Sequence, residues 1–395
     1  MVHSAFFNVG HGEAIILRIF GNDETHWIIR DFGRSRYAKD TKSSVSISCL
    51  SQCYARYYSR YPHLNVDAVL SHAHEDHFNG FKALYDHGYS KIFSNAYIPM
   101  FKLTDLKSLG GLLIKYSVFL YRYFGPTSLI GQNVTNWLLA APIMASLSQR
   151  LWCVNTGHIV RNWKVENKIL WPPKQDGDYD DVITTKLSNR FEDYLRKNNL
   201  SEEFLNEESE RIRARLSDFY QNTDNNVQEH SFSTEQVATC IDVITESLGP
   251  VFHPDFRNQL SPPIHLNNFA YKPTIDNHSL IFEIGHPSRK HLYLSDANDP
   301  TIDKMLKTNR LFSVKYDLLK SAHHGTRGAK ALHAHAITAD EVINCCGPAH
   351  PLWHGPHTNY SCIAHRLTCT DWDARSVKWG SQTIFSVSQS CCIRR

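Results

Sequence analysis

Short apolar runs alternate with polar turns through the first part of the chain. Three such runs, Ala5–Val9, Ala14–Phe20 and Trp27–Asp31, are separated by Gly10-His11-Gly12 and Gly21-Asn22-Asp23. Apolar runs of this length that are bounded by glycine and asparagine are typical of consecutive strands joined by tight turns. The pattern therefore predicts that the chain opens with β-hairpins.

Helical periodicity dominates the middle of the chain. It extends roughly from Leu103 to Arg150 and returns in two charged amphipathic segments, Leu187–Leu200 and Glu202–Tyr220. Ser233-Thr234-Glu235-Gln236 has the sequence of a capping box and predicts the start of a further helix. The proline-rich stretch 249–273 predicts a return linker.

Strand patterns recur on both sides of the helical segments. The further predicted strands are Val66–Leu70, Lys168–Trp171, Leu280–Glu283, Leu292–Leu294, Tyr316–Leu319, Val342–Asn344 and Ile384–Val387. The chain therefore predicts one β-rich α/β core in three parts, 1–100, 154–179 and 273–395. Helical segments interrupt this core at 101–153, as an insertion, and at 180–272, as an insertion or a lid.

Composition is that of a globular protein and excludes few functions. The 395 residues are 42% apolar and 21% charged, and the formal net charge of +3 gives no argument for a nucleic-acid or membrane partner. The longest apolar stretch, Leu112–Phe124, is interrupted by Lys115 and Arg122 and is too short to span a membrane. We therefore expect no membrane association. Because no signal-peptide pattern is seen, we expect a cytoplasmic protein with reduced cysteines.

Histidine is the unusual residue, with 23 copies, and three of them lie in one short segment. This segment, Ser71-His72-Ala73-His74-Glu75-Asp76-His77, directly follows the predicted strand Val66–Leu70. Its imidazoles and carboxylate can converge on one point only if the segment forms a tight loop. Neutral imidazole and carboxylate ligands suit Zn, Mn or Fe and leave positions open for water. The segment therefore predicts a metal site.

The His-x-His-x-Asp-His motif at 72–77 resembles the signature of the metallo-β-lactamase superfamily. Other landmarks are similar, in the same order, to those of the hydrolase domain of ComEC-type competence proteins: Asn8-Val9-Gly10-His11-Gly12-Glu13-Ala14, Asp31-Phe32-Gly33, Trp171-Pro172-Pro173, Asn277-His278-Ser279-Leu280, Tyr293-Leu294-Ser295-Asp296 and Ala322-His323-His324-Gly325-Thr326. The resemblance does not cover the helical insertions. It implies an α/β fold of the αββα metallo-β-lactamase sandwich type, with a two-metal site at one edge.

The resemblance also implies a ligand set for two divalent ions, Zn or Mn. His72 and His74 would bind one ion, Asp76 and His77 would bind the second, and Asp296 would bridge the two. Two such ions can share a hydroxide and can stabilise both the attacking and the leaving oxygen. Asp76 would in addition hold or accept a proton from that nucleophile.

Further histidines are candidates for the edge of the site. His323 is expected to be a further ligand or a phosphate contact, and His324 its supporting partner and a catalytic residue beside Asp76; the two roles can also be exchanged. A C-terminal landmark similar to Gly-His-Pro is assigned to His357, with His354 as the alternative.

Residues outside the main motif extend this prediction. Asp31 is expected to orient a ligand histidine, which is a common requirement at metal sites. His158 is a candidate for an extra ligand or phosphate contact, although a structural role is favoured. His11 and Glu13 replace the glutamine and aspartate of the opening landmark, and the role of that loop stays open.

Three kinds of function are compatible with these features. The first is a phosphodiesterase or nuclease that cleaves DNA or RNA, in which the tyrosine- and arginine-rich run 54–61 either stacks on bases or forms the packing face of a helix. The second is a small-molecule hydrolase acting on a cyclic nucleotide, a lactone or a β-lactam. The third is a partner-activated effector, of the bacterial defence type, whose helical insertions bind another protein. Serine hydrolases and P-loop ATPases are excluded because their motifs are missing.

Overall fold

Two mixed β-sheets flanked by helices make up the described part of the chain. The computed structural model describes residues 2–7, 9, 11–20, 25–35, 46–61, 65–163, 165–174, 178–220, 231–286, 289–309, 311, 313–345, 360–369, 378–379 and 382–385. The α/β fold class predicted from the sequence is confirmed at this level.

The first sheet joins the start of the chain to its last described strands. In spatial order its strands are β13 (Lys378–Trp379), β14 (Gln382–Phe385), β1 (Val2–Phe7), β2 (Ala14–Phe20), β3 (Thr25–Phe32), β4 (Val66–Val69), β5 (Phe93–Pro99) and β6 (Ser148–Val154). β1, β2 and β3 pair antiparallel, as the hairpin pattern predicted, whereas β3, β4, β5 and β6 pair in parallel. The parallel strands bring their carboxyl ends to one edge of the sheet.

The second sheet is built mainly from the C-terminal part of the core. In spatial order its strands are β12 (Ala364–Cys369), β11 (Thr338–Asn344), β10 (Lys315–Lys320), β9 (Arg289–Tyr293), β8 (Ile281–His286) and β7 (Glu166–Trp171). Strands β7, β8 and β9 pair antiparallel, and β9 to β12 pair in parallel. The predicted strands at 168–171, 280–283, 292–294, 316–319 and 342–344 correspond to β7, β8, β9, β10 and β11, whereas the one at 384–387 overlaps β14 of the first sheet and ends outside the described residues.

The helices lie on the outer side of each sheet. They are α1 (Ile47–Arg60), α2 (Glu75–Asp86), α3 (Leu109–Phe124), α4 (Leu129–Leu147), α5 (Asp178–Lys197), α6 (Glu203–Tyr220), α7 (Thr234–Leu248), α8 (Pro254–Gln259), α9 (Ile264–Leu266), α10 (Lys272–Asn277), α11 (Asp299–Thr308) and α12 (Ala329–Ala334). No helix among the described residues combines the length and the apolarity needed to cross a membrane.

Three apolar clusters explain this arrangement. One lies between the two sheets and includes Phe6 and Ile15 from the first sheet and Phe282 from the second. Another joins α11 and α12 to the second sheet. The third joins the first sheet to α1, α2 and the helices of residues 109–248, with Leu113 and Ile212 fully buried in it. The helical segments that the sequence presents as separate insertions therefore pack together on one sheet.

The start of α7 follows the capping pattern seen in the sequence. Ser233 Oγ accepts a hydrogen bond from the backbone N–H of Gln236 at 3.1 Å, and Gln236 Oε1 accepts one from the backbone N–H of Ser233 at 2.9 Å. The two bonds satisfy N–H groups that would otherwise lack a partner within the helix. The predicted capping box is confirmed.

Two local predictions were wrong. The stretch 249–273 is not a plain linker, because it contains α8, α9, a π-helical turn at Asn267–Tyr271 and the start of α10. The predicted helical pattern up to Arg150 ends earlier, since Ser148 already begins β6 and pairs with β5. In both places tertiary packing outweighs the local pattern.

The tyrosine-rich run belongs to α1 and has an inward-facing side. Tyr54 stacks on Phe93 with ring centroids 5.5 Å apart, and Tyr58 donates a hydrogen bond to the backbone oxygen of Lys91. Arg56 is exposed. The reading of this run as a helix with a tyrosine-rich packing face is therefore confirmed for these two tyrosines.

A buried histidine links the two sheets. His291 of β9 is 1% exposed, and its Nδ1 atom lies 3.2 Å from Ser4 Oγ of β1 and 3.3 Å from Tyr293 OH. Burial, with smaller effects from the charges of Arg289 and His3, lowers the pKa of His291 from 6.5 to about 3. The ring is therefore neutral in the folded protein at neutral pH.

This depressed pKa predicts a loss of stability in acid. Between about pH 6.5 and pH 3 the unfolded chain binds a proton at His291 that the folded protein excludes, which costs about 1.4 kcal/mol per pH unit. We expect His291→Gln to reduce the slope of unfolding free energy against pH in this range, measured by urea denaturation with a chelator present. His365→Gln, at a side chain that is 73% exposed, is the control and should leave the slope unchanged. Equal slopes for His291→Gln and the wild type would contradict the assignment.

Candidate metal centre

The histidine motif lies where β4 ends and α2 begins. His74 is the N-cap residue of α2 and has extended backbone angles, φ −72° and ψ 156°. Asp76 and His77 already belong to the first turn of the helix. The predicted tight loop over 71–77 was therefore wrong for its second half. The change from extended to helical backbone is what brings Asp76 and His77 back towards His72.

His72, His74 and Asp276 form a first group of side chains that can hold an ion, and all three are buried. His74 Nδ1 lies 3.0 Å from both His72 Nε2 and Asp276 Oδ1, and the latter two atoms are 3.9 Å apart. Asp276 belongs to α10. Its second oxygen accepts a hydrogen bond from Arg327 Nη1 at 3.0 Å, which fixes the carboxylate.

His11, Asp76 and His324 form a second group. His324 Nε2 lies 3.0 Å from Asp76 Oδ2, and His11 Nε2 lies 4.0 Å from the same oxygen. His324 Nδ1 donates to the backbone oxygen of Cys345 at 2.7 Å. Because a carbonyl oxygen only accepts, Nδ1 carries a proton, and Nε2 is the His324 atom that faces Asp76. Nε2 can donate to the Asp76 carboxylate or, as an unprotonated acceptor, bind an ion together with it.

Asp296 lies between these two groups, three residues beyond the end of β9 at Tyr293. Its Oδ1 atom is 3.6 Å from His77 Nε2, whereas its Oδ2 atom is 3.7 Å from His72 Nε2 and 3.8 Å from His323 Nε2. The two oxygens of one carboxylate thus face different histidines. This geometry is what a carboxylate shared between two ions requires.

Asp31 binds the Nδ1 side of the His77 ring, opposite the Nε2 atom that faces Asp296. His77 Nδ1 donates to Asp31 Oδ2 at 3.2 Å, and the other Asp31 oxygen accepts from the backbone N–H of Ser71 at 2.7 Å. The backbone of Asp31 has a φ of 48°, a value that non-glycine residues adopt only with support from their surroundings. The sequence assigned Asp31 to the orientation of a ligand histidine, and these contacts give it that geometry.

A buried group of charges surrounds Asp31. Arg30 Nη1 lies 2.9 Å from Glu13 Oε2 and 3.1 Å from Asp31 Oδ2, and Lys320 forms an ion pair with Glu13. The four side chains are fully buried, with two positive and two negative charges. Mutual pairing is what makes their burial tolerable, because an unpaired buried charge is strongly destabilising.

Two glycines allow the chain to approach the motif closely. A Cβ atom at Gly33 would lie 2.3 Å from the backbone nitrogen of His77, and one at Gly12 would lie 2.4 Å from the oxygen of Gly33. Neither contact is sterically possible. Gly12 and Gly33 of these landmarks are therefore explained by the close contact of their two loops with each other and of Gly33 with the start of α2.

The turn after β10 carries His323 and His324 in a strained backbone. Their φ angles are 44° and 56°, and Gly325 follows with 91°. Left-handed angles cost non-glycine residues about 1–2 kcal/mol each. In return, the turn directs His323 towards Asp296 and His324 towards Asp76. Strain of this kind is concentrated at functional sites.

Burial and neighbouring charges shift the pKa values of the site in opposite directions. Burial lowers the pKa of His72 to about 3, with a further contribution from His77, and burial also lowers the pKa of His323 to about 4. Burial disfavours the ionised form of Asp76, but the charges of His77 and His324 hold its pKa well below its usual range. Burial also disfavours protonation of His77, yet the carboxylates of Asp296, Asp76 and Asp31 raise its pKa well above 6.5.

These atoms fit the requirements of metal ions. When two ligand atoms each lie about 2.0–2.2 Å from the same ion, they are about 3 Å apart in adjacent positions around it and about 4 Å apart in opposite positions. The nitrogen–oxygen and nitrogen–nitrogen separations in the site run from 3.0 to 4.0 Å. Two buried atoms that face each other, His77 Nε2 and Asp296 Oδ1, are 3.6 Å apart, which is longer than a hydrogen bond. An ion bound by both would give each of them a close partner.

Some predicted residues are not brought to this site. His158 lies among the rings of Tyr97 and Trp152, and within the described chain it belongs to none of the histidine–carboxylate groups. The alternative C-terminal histidines, His354 and His357, lie outside the described residues.

Asp276 is the site residue that the sequence analysis missed. It directly precedes the landmark Asn277-His278-Ser279-Leu280, and this position was the available signal. Asn277, the first residue of the landmark, has a structural role. Its backbone oxygen accepts from Trp171 Nε1 at 2.6 Å, and its side-chain oxygen accepts from the backbone N–H of Asn298 at 3.0 Å. These bonds brace the end of α10 and so fix the position of Asp276.

Comparison with known proteins does not identify a family. No protein-family model matches the chain, and no curated protein matches it either.

The first group predicts a specific effect of Asp276 on metal binding. We expect Asp276→Asn to weaken the binding of one ion by about tenfold or more, because the variant loses an anionic ligand that the Arg327 guanidinium holds in place. Equilibrium dialysis with Zn²⁺ and Mn²⁺, read by elemental analysis, measures the effect. Asp303→Asn removes an equal charge from an exposed position and should leave binding unchanged. Wild-type affinity in the Asp276→Asn protein would exclude Asp276 as a ligand.

The raised pKa of His77 predicts that metal binding releases a proton. The ring is protonated at neutral pH without metal and must lose its Nε2 proton to bind an ion, so the affinity should increase with pH. Calorimetric titration with Zn²⁺ in two buffers of different ionisation enthalpy measures the release. Asp31→Asn, which removes one of the carboxylates facing His77, should reduce the number of protons released. No difference between the two buffers near neutral pH would rule out the mechanism.

Proposed function

We propose that the protein is a two-metal hydrolase of the metallo-β-lactamase type. The observation that carries the proposal is the position of Asp296, whose two oxygens face His77 on one side and His72 on the other. A single carboxylate shared in this way matches a pair of ions better than one ion or a purely structural cluster. The motif resemblance at 72–77 points to the same arrangement.

The contacts favour a particular distribution of ligands. His72, His74 and Asp276 would hold the first ion. Asp76, His77 and His324 would hold the second, with Asp296 between the two. In this assignment His324, rather than His323, is the ligand from the strained turn, since its Nε2 atom is the one that closely approaches Asp76.

The fold is compatible with an αββα sandwich. The apolar cluster between the sheets and the clusters that join each sheet to its helices are the contacts that such a sandwich would have. Apart from Asp276, which belongs to α10, these candidate ligands follow β4, β9 and β10 and lie at the carboxyl ends of these strands. Active sites of open α/β sheets are found at this edge.

The chain's own residues have separate roles in the proposed reaction. Bound ions would activate water and would stabilise the attacking and leaving oxygens. Asp76, whose side chain is 19% exposed, can accept a hydrogen bond from that water and orient it. Its low pKa makes it a poor store for the proton, because a general base is most effective with a pKa near the working pH. His323 is neutral at pH 7 and lies beside Asp296, where it can contact an oxygen of the substrate.

A phosphodiester is the substrate class that we propose. Arg327 is a cation beside two of the candidate ligands, since its Nη1 atom donates to Asp276 Oδ2 and to the backbone oxygen of Asp296. Its side chain is 31% exposed and can therefore also meet a negatively charged oxygen of a substrate. The resemblance to competence-type hydrolases makes DNA the first polymer to test and RNA the second.

The proposal predicts metal-dependent cleavage. Labelled single-stranded DNA, double-stranded DNA, RNA and bis(p-nitrophenyl) phosphate are incubated with protein loaded with Mn²⁺ or Zn²⁺. We expect cleavage of at least one substrate, its loss on chelation, and a decrease of about 100-fold or more in Asp76→Asn. Asp303→Asn should retain wild-type activity.

Two results would overturn the proposal in different ways. Protein that binds neither ion would rule out the metal centre itself. Protein that holds two ions and hydrolyses a lactone or a β-lactam, but none of the phosphodiesters, would rule out the substrate class and leave the centre intact.

A further inference from the structure

His11 is the histidine near the site whose role the sequence left open. It lies in the connection between β1 and β2, where the otherwise similar landmark has a glutamine. Its Nε2 atom is 4.0 Å from Asp76 Oδ2, and its ring centroid is 4.2 Å from that of His324 with an interplanar angle of 47°. Its side chain is 14% exposed and that of Asp76 is 19% exposed, so the second group is less buried than the first.

The backbone around His11 is fixed to the metal-facing part of α2. The backbone oxygen of His11 accepts from Ser35 at 2.7 Å, the N–H of Glu13 donates to the oxygen of Asp76 at 2.9 Å, and the N–H of Gly33 donates to the oxygen of Glu13 at 2.8 Å. These bonds hold the His11 connection and Asp76 in one rigid unit. A side chain held in this way can supply a ligand in a reproducible position.

The distances around Asp76 are those of ligands on a shared ion. A separation of 4.0 Å is too long for a hydrogen bond between His11 and Asp76, but it lies within the range of about 3 to 4 Å that two ligands of one ion span. His324 is tilted against His11 rather than stacked on it, and its Nε2 atom lies 3.0 Å from Oδ2 of the same carboxylate. His11, Asp76 and His324 therefore converge from three separate segments of the chain.

We propose that His11 is a ligand of the second ion, in addition to Asp76, His77 and His324. This inference rests on the proposed two-metal centre. Besides the shared Asp296, the second ion is then bound by three imidazoles and Asp76, whereas the first is bound by two imidazoles and Asp276. The additional nitrogen ligand makes the second position the one that retains Zn²⁺ more strongly.

The test measures each ion separately in the full chain. Zn²⁺ is titrated against a competing chelator into wild-type protein, His11→Ala and Asp276→Asn, and Co²⁺ absorption reports the ligand field. We expect two ions in the wild type. In His11→Ala we expect one ion with wild-type affinity, a second ion weakened by about tenfold or more, and a changed Co²⁺ spectrum. The double variant His11→Ala/Asp276→Asn should bind both ions weakly, because the two changes affect different ions.

Two controls separate ligation from a structural role. His253→Ala removes a histidine that is 76% exposed and should leave both affinities and the spectrum unchanged. His11→Gln keeps most of the side-chain volume and carries the same expectation as His11→Ala, so the test stands even if the alanine variant folds poorly. Thermal unfolding of the metal-free variants should match that of the metal-free wild type.

The failures of the two proposals are distinguishable. Two ions bound with unchanged affinity and an unchanged Co²⁺ spectrum in both His11 variants would overturn the role of His11 and leave the two-metal centre standing. Equal weakening of both ions, together with a lower unfolding temperature of the metal-free protein, would make His11 a structural residue and also overturn its role as a ligand. A wild-type protein that binds neither ion would overturn the centre and His11 together.

Discussion

Pairing among four buried charges is the interaction on which the site depends. Glu13 and Asp31 can be buried only because Arg30 and Lys320 are buried beside them. Arg30 belongs to the first sheet and also donates to the backbone oxygen of Leu294, beyond β9 of the second sheet, so the same side chain links the two sheets. Asp31 in turn holds the ring of His77. The charge pairs thus couple the assembly of the core to the orientation of a candidate ligand.

The site is assembled from segments that are far apart in the chain and costly to bring together. One cluster of histidines and carboxylates is surrounded by unusual backbone geometry. Asp31, His323 and His324 have left-handed φ angles, and the chain approaches itself closely at Gly12 and Gly33. Each feature opposes stability when taken alone. Their concentration here is what selection for an ion-binding geometry, rather than for packing, would produce.

The helices of the middle of the chain are part of the support of the first sheet. α3, α4, α6 and α7 pack on one another, and their apolar side chains belong to the same cluster as those of α2 and the first sheet. α2 presents Asp76 and His77 in its first turn, and it packs directly on α4. A partner that bound this helical layer would therefore act on the element that carries two of the candidate ligands.

The sequence by itself determined the features that depend on local pattern. Alternation of apolar and polar residues gave the hairpins of β1 to β3, and the capping residues gave the start of α7. The motif at 72–77 gave four of the candidate ligands, and the resemblance of the later landmarks added Asp296, His323 and His324. Only the tertiary structure added Asp276 and placed His11 beside the site. Asp276 lies just beyond the segment 249–273 that was read as a linker, and His11 lies in a turn whose role was left open. Their convergence depends on how strands and helices pack, and it leaves no periodic signal. The same reason explains why the start of β6 was predicted as helix. This segment becomes a strand because it pairs with β5, and its own residues do not indicate that pairing.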